Sequence, residues 1–221
     1  MILRVLRFLI RVLLRLIANI EIRGKENVPL TGGMILSSNH IGILDIIMVY
    51  YGIERTDIFI PVAEKWEKIG WIRWLGKQLN FLFIDRYNPD LKAMRKMIAL
   101  MEEGKCLVIA PEGTRSRVGS LIEGKPGVAF LAARSGFPVI PVAITGTEDE
   151  VIKANLKKFR RSNITLTGGK KFIIPPLPKS NRDDALQKYT DEIMCQMAAI
   201  LPERYRGVYA EHPRLKELIT L

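Results

Sequence analysis

The sequence predicts a three-layer α/β fold, a mixed, mostly parallel sheet flanked by helices, led by an N-terminal amphipathic membrane-surface helix. Three observations carry this. Short apolar, β-branched runs alternate with longer stretches of helical spacing, the pattern of strands and crossover helices. The 221 residues, 48% of them hydrophobic, are enough for one substantial core. The opening segment, MILRVLRFLIRVLLRLIANI, carries four arginines and no acidic residue on an otherwise apolar background.

That first segment reads as a helix. At about 100° per residue, Arg4, Arg7, Arg11 and Arg15 fall within about 80° of one another and make one basic stripe. Spanning a bilayer would put Arg7 and Arg11 near its centre, at about 2.5–3.5 kcal/mol each. Lying in the interface avoids that cost, and each arginine gains up to about 1 kcal/mol beside anionic lipid. The magnitudes favour a surface helix. A secretory signal does not fit, because arginines recur through what should be its apolar region. Two other readings stay open: a mitochondrial presequence, and a helix packed on its own domain with its arginines in water. The division expected is residues 1–19 for the membrane-association helix and 20–221 for a single domain.

Along that domain, residues 20–24, 33–38, 57–62, 80–84 and 106–110 read as strands. Residues 45–53 have helical spacing, and 64–79 read as one helix whose apolar surface includes Trp66, Trp71 and Trp74. A helix opens at Pro89-Asp90 and ends near Gly104, and another runs over 126–134 and closes at Gly136. Residues 137–146 read as a strand in spite of Pro141, which predicts an edge position or a break in the ladder. ITLTG and KFII predict a hairpin, and PPLPKS a stiff link to a helix over 183–200.

Charge narrows the partners. Lysine and arginine outnumber aspartate and glutamate 34 to 23, a net charge of +11. The excess points to an anionic partner: nucleic acid, lipid head group, phosphorylated substrate or acidic carrier protein. The two cysteines, Cys106 and Cys195, lie far apart without metal-ligand spacing and read as buried reduced thiols. No metal site can be assembled, and no metal or resident cofactor is expected.

Two segments carry chemistry. In SSNHIGILD, His40 ends a buried strand and Asp45 follows five residues on. That offset does not share a helical face, so a strand-to-helix turn must bend the pair together. By itself the pair fits a capping aspartate beside an unconnected histidine better. In APEGTRSR, a polar turn follows the CLVI strand, at the sheet edge where open α/β sheets bind ligands. Gly113 permits close backbone approach, and Arg115 offers a fork for phosphate oxygens. His212, in the polar tail AEHPR, reads as simply exposed.

The ordered set NHIGILD, FIDR, PEGTRS and VIPVAI resembles the four-block signature of the glycerolipid acyltransferase family, of the lysophosphatidate acyltransferase type. The resemblance runs from about Ile20 to Ile144 and departs from the usual pattern at Ala110, where phenylalanine is more common. It implies that His40 is the general base on an acceptor hydroxyl and Asp45 its orienting partner. It implies that Arg86 and Arg115 hold a phosphate, with Glu112, Gly113 and Thr114 forming the site. Lys125 and Lys65 match lysines common in relatives; surface lysine serves as well for the first and better for the second. Asp85 fits an ion-pair partner of Arg86.

The activity implied is transfer of a fatty acyl chain from an acyl-ACP or acyl-CoA co-substrate to 1-acyl-sn-glycerol 3-phosphate, giving phosphatidic acid. The partners implied are that lysophospholipid, the carrier-protein or coenzyme A thioester, and a membrane phospholipid surface. The setting implied is a peripheral or monotopic protein on the cytoplasmic face of the cell membrane. Two alternatives remain: acylation of another lysophospholipid or of glycerol 3-phosphate, and a non-enzymatic basic binder of membrane or nucleic acid. Against nucleic acid, the densest basic stripe is interleaved with leucine and isoleucine, and stacking aromatics are few.

Overall fold

The computed structural model describes residues 2–85 and 91–220, with side chains from residue 8 onward. Seven strands form one sheet: β1 (Ala18–Arg23), β2 (Met34–Ser38), β3 (Ile58–Ala63), β4 (Phe81–Ile84), β5 (Cys106–Ile109), β6 (Val139–Thr145) and β7 (Ser162–Gly168). Their order is β1-β7-β6-β2-β5-β3-β4. Every pairing is parallel except β6 with β7. The helices are α1 (Ile2–Ile17), α2 (Asp45–Gly52), α3 (Gly70–Gln78), α4 (Leu91–Glu102), α5 (Pro126–Ser135), α6 (Asp149–Lys157), α7 (Arg182–Ala199) and α8 (Pro213–Thr220).

Strands buried on both faces favour apolar residues throughout, which is why residues 34–36 of β2, all of β5 and residues 139–144 of β6 read as unbroken apolar runs. Their side chains alternate between two cores. Met34, Leu36, Ile58, Cys106, Val108, Ile140 and Ile144 face α1, α2 and α3. Ile35, Phe59, Leu107 and Val139 face α4, α5 and α7. Cys106 and Cys195 are both buried, and desolvation pushes each thiol up to about 12.

Several expectations change. Residues 64–79 are not one helix: a 3₁₀ turn (Glu64–Trp66) precedes α3, and extended Ile69 separates them. Of the two placements expected for Pro141, the edge fails and the ladder break holds: it lies in an interior strand, between β2 and β7. It is tolerated because the β7 ladder stops at Val142, and the Pro141 carbonyl accepts the N–H of Gly169 at 2.8 Å just past that end. KFII forms no hairpin; Phe172 alone bridges to Val139, filling the slot beside β6 that β7 has vacated. His212 is half-buried, and its Nδ1 accepts the N–H of Arg214 at 3.1 Å. Pro89, Asp90 and Arg86 lie outside the described residues, as do the side chains of Arg4 and Arg7.

Helix α1 has three faces. Leu14 is buried and Ile10 and Ile17 pack beside it on the sheet core. Arg11 and Arg15 flank that stripe and are exposed. Phe8, Leu9, Val12, Leu13 and Leu16 form a third face, apolar and open to solvent. Among the described residues no helix is long and apolar enough to cross a membrane.

Candidate active site

Three adjacent strands set the site. In register, Ser37 of β2 pairs with Ile109 of β5 and Ser38 pairs with Val142 of β6, so the carboxyl ends of β5, β2 and β6 lie side by side. The loops beyond those ends converge, at the edge where open α/β sheets bind ligands.

The first residue beyond β2 is Asn39, which is buried. Its amide nitrogen donates to the Ile144 carbonyl at 2.8 Å, and its oxygen accepts the Ile144 N–H at 2.7 Å. An amide side chain both donates and accepts, so it extends the β2–β6 attachment one step past the ladder. His40 then leaves the strand. Its N–H donates to Glu112 Oε1 at 2.9 Å, and its carbonyl accepts the Ser116 N–H at 2.7 Å. The histidine backbone is thereby tied at two points to the turn after β5.

Asp45 opens α2, and the five-residue turn brings it back to the imidazole. Its Oδ2 lies 2.8 Å from His40 Nδ1 and also accepts the N–H groups of Ile41 at 2.7 Å and Gly42 at 2.9 Å. Its Oδ1 accepts the Thr147 hydroxyl at 2.5 Å. Four donors thus surround a carboxylate whose side chain is 4% exposed. With Nδ1 engaged by Asp45, the neutral ring carries its proton there and turns Nε2 outward as the acceptor. The turn is tight: a Cβ on Gly42 would lie 1.8 Å from the Thr147 carbonyl oxygen.

Glu112 is buried, and its Oε2 accepts the Ile122 N–H at 3.2 Å. Burial pushes its carboxyl up to about 7, against the pull of the two backbone N–H donors from His40 and Ile122. It braces the turn from beneath. Gly113 adopts a left-handed φ of 66°, and the stem of Lys125 lies across it: a Cβ there would meet Lys125 Cδ at 2.9 Å. The Lys125 N–H donates to the Pro111 carbonyl at 2.8 Å, while its side chain is exposed. Thr114 and Arg115 are exposed on the same rim. Arg115 Nη1 donates to Asp149 Oδ2 at 2.5 Å, and Asp149 Oδ1 accepts the Ile43 N–H at 2.9 Å.

His40, Asp45, Glu112, Gly113, Thr114, Arg115 and Lys125 therefore share one edge; Arg86 lies outside the described residues. Lys65 stands instead over the Trp66 ring, 5.6 Å from its centroid. Sequence reasoning missed Asn39, Gly42, Thr147 and Asp149. Their signal was position: Asn39 and Gly42 flank the histidine, and the polar run TGTED follows a buried strand. A concavity of about 460 Å³ opens at the opposite edge, near Gly24, Ile53, Arg55 and Gly168. It has no histidine in its wall.

A family model described as Acyltransferase matches residues 19–145. The chain is 28% identical over 137 residues to a 1-acyl-sn-glycerol-3-phosphate acyltransferase of Bacillus subtilis (strain 168), covering 62% of this chain and 68% of that protein. It is 30% identical over 171 residues to the protein of the same name from Limnanthes douglasii, covering 75% of this chain and 56% of the relative. The crystal structure of the 1-acyl-sn-glycerophosphate (LPA) acyltransferase PlsC from Thermotoga maritima is similar at a TM-score of 0.66 and 25% identity, covering 86% of this chain and 76% of that one. The match spans from about a third to about two thirds of the length of the curated relatives. With the family model covering more than half of the sequence, this chain belongs to the acyltransferase family.

Proposed function

We propose that this acyltransferase moves a fatty acyl chain from an acyl thioester to the free hydroxyl of 1-acyl-sn-glycerol 3-phosphate, giving phosphatidic acid and a free thiol. His40 Nε2 takes the hydroxyl proton as the oxygen attacks the thioester carbonyl. The tetrahedral intermediate collapses, the carbon–sulfur bond breaks, and the imidazolium returns its proton to the departing thiolate. Asp45 fixes the tautomer and stabilises the imidazolium while it exists. The substrate oxygen attacks directly, so the protein supplies no nucleophile.

The observation that carries the reading is the His40 Nδ1 contact to a carboxylate held by three further donors. Such a carboxylate is fixed in place, which a general-base pair requires. The relatives' names supply the acceptor class. Arg115, joined by Arg86 and Lys125, is the cationic group assigned to the acceptor phosphate, and Thr114 lines the same rim. The donor is an acyl carrier protein or coenzyme A thioester. The enzyme works as a peripheral or monotopic protein on the cytoplasmic face of the membrane, with the outward apolar face of α1 in the lipid interface and its arginines at the head groups.

The test is His40→Ala, assayed by thiol release with 1-acyl-sn-glycerol 3-phosphate present. A folded variant that has lost roughly 10²–10⁴ of the rate is expected for a general base. Near-normal turnover would remove His40 from this role.

A further inference from the structure

Helix α3 carries an apolar surface that nothing in the proposed chemistry uses. Leu75 and Gly76 turn toward the domain, with Leu75 on the core and Gly76 against Phe81 and Phe83. The opposite side shows Trp71, 67% exposed, and Trp74, 55% exposed. Trp66 and Ile69, just before the helix, are exposed as well. Four large apolar side chains within nine residues form a patch of the kind that marks an interaction surface.

Two features identify the partner. Exposed Lys65, Lys68, Arg73 and Lys77 are interleaved with these indoles, against Glu64 and Glu67, leaving the segment net cationic. Tryptophan with flanking lysine and arginine is the composition of a bilayer interface, where the ring sits at head-group depth and the cations meet anionic lipid. The second feature is position. Helices α1, α2 and α3 all pack on the same sheet face, while α4, α5 and α7 cover the other. The outward apolar residues of α1 and the tryptophans of α3 therefore belong to one side of the molecule.

We infer that the tryptophan face of α3 is a second membrane contact, inserting on the same side of the molecule as α1 into an anionic lipid interface. The inference rests on the membrane half of the reading above and adds to it a second point of attachment. Two points fix an orientation where one helix leaves the domain free to swivel. The segment begins at the end of β3, the edge that also carries His40, so the contact holds the mouth of the site near the lipid surface.

The protein contains a reporter for this. Its three tryptophans are Trp66, Trp71 and Trp74, so intrinsic emission reads this face alone. The experiment adds phosphatidylcholine vesicles, with and without phosphatidylglycerol, to the full chain and follows both pelleting and emission. Expected are co-pelleting with anionic vesicles, a shift of emission to shorter wavelength, and quenching by brominated acyl chains. The double variant Trp71→Ser/Trp74→Ser should bind vesicles about tenfold more weakly, a loss of about 1.4 kcal/mol.

Pelleting with unchanged emission, or a double variant that binds like the parent, would overturn the α3 contact and leave α1 as the sole anchor. No pelleting at all would overturn both. Short-wavelength emission without lipid, together with a doubled mass in solution, would assign the face to a second copy of the chain and refute a lipid partner.

Discussion

Replacing Asp45 by asparagine separates the two tasks assigned to that carboxylate. The amide oxygen in the place of Oδ2 still accepts from Ile41, Gly42 and His40. The NH2 group in the place of Oδ1 meets the Thr147 hydroxyl, which rotates to accept instead of donate. Orientation and tautomer survive, and stability should fall by only about 1–2 kcal/mol as charged hydrogen bonds become neutral ones. What disappears is the negative charge beside the imidazolium. At about 4 Å between charge centres and an effective dielectric near 20, that attraction is about 4 kcal/mol. Losing it should lower kcat by about three orders of magnitude, at 1.36 kcal/mol per decade. The assay is thiol release at saturating substrates, with urea unfolding of the same samples. Adding Thr147→Val strands the amide N–H, costing a further ~1–3 kcal/mol of stability with little additional loss of rate. A well-folded Asp45→Asn enzyme that keeps more than a tenth of the parent rate would refute the reasoning.

Three other outcomes follow from the site. The Glu112 carboxyl, raised from 4.5 to about 7, holds its proton more tightly in the fold than in the unfolded chain, so its contribution to stability is full below pH 4.5 and declines as pH rises to 7, by up to about 3 kcal/mol. Glu112→Gln lacks that titration but turns an NH2 toward one of two backbone donors, so urea midpoints should show a deficit against the parent that shrinks from pH 5 to pH 7; a constant difference would contradict this. Gly42→Ala should fold yet lose roughly 10²-fold in rate, because the new Cβ must push the Thr147 backbone away from Asp45; unchanged kcat would show that the turn has slack. Arg115→Ala should weaken a phosphate-bearing acceptor by about tenfold or more, the size of a hydrogen bond to a charged group. Equal loss with a phosphate-free monoacylglycerol would argue against a phosphate contact.

Much of the architecture was legible because it rests on local pattern. Strands buried on both faces are continuous apolar runs, and Gly136 marks the end of α5 through its left-handed φ of 70°. The turn from His40 to Asp45 could be anticipated because both ends lie within one short segment. What could not be read were contacts between segments distant in sequence. Thr147 reaches Asp45 across 102 residues, and Asn39 reaches Ile144 across 105. Neither spacing has a periodicity to betray it. The failed hairpin has the same origin: KFII has strand propensity, but the slot it meets beside β6 admits one bridge. Helix α6 escaped notice because Ile152 is its only buried residue, leaving little apolar rhythm to detect. Arg115 was read as reaching for phosphate alone, whereas Asp149 already holds one of its nitrogens.

The Thr147–Asp45 bond has a consequence for biosynthesis. Ribosomes synthesise from the N-terminus, so Asp45 emerges long before the hydroxyl that completes its environment. Throughout that interval the histidine's partner lacks one donor, and the strand that Asn39 will clamp has not yet been made. The surroundings of His40 and Asp45 are therefore incomplete until β6 and the residues after it have joined the sheet. The carboxylate is completed by a threonine that arrives late in synthesis.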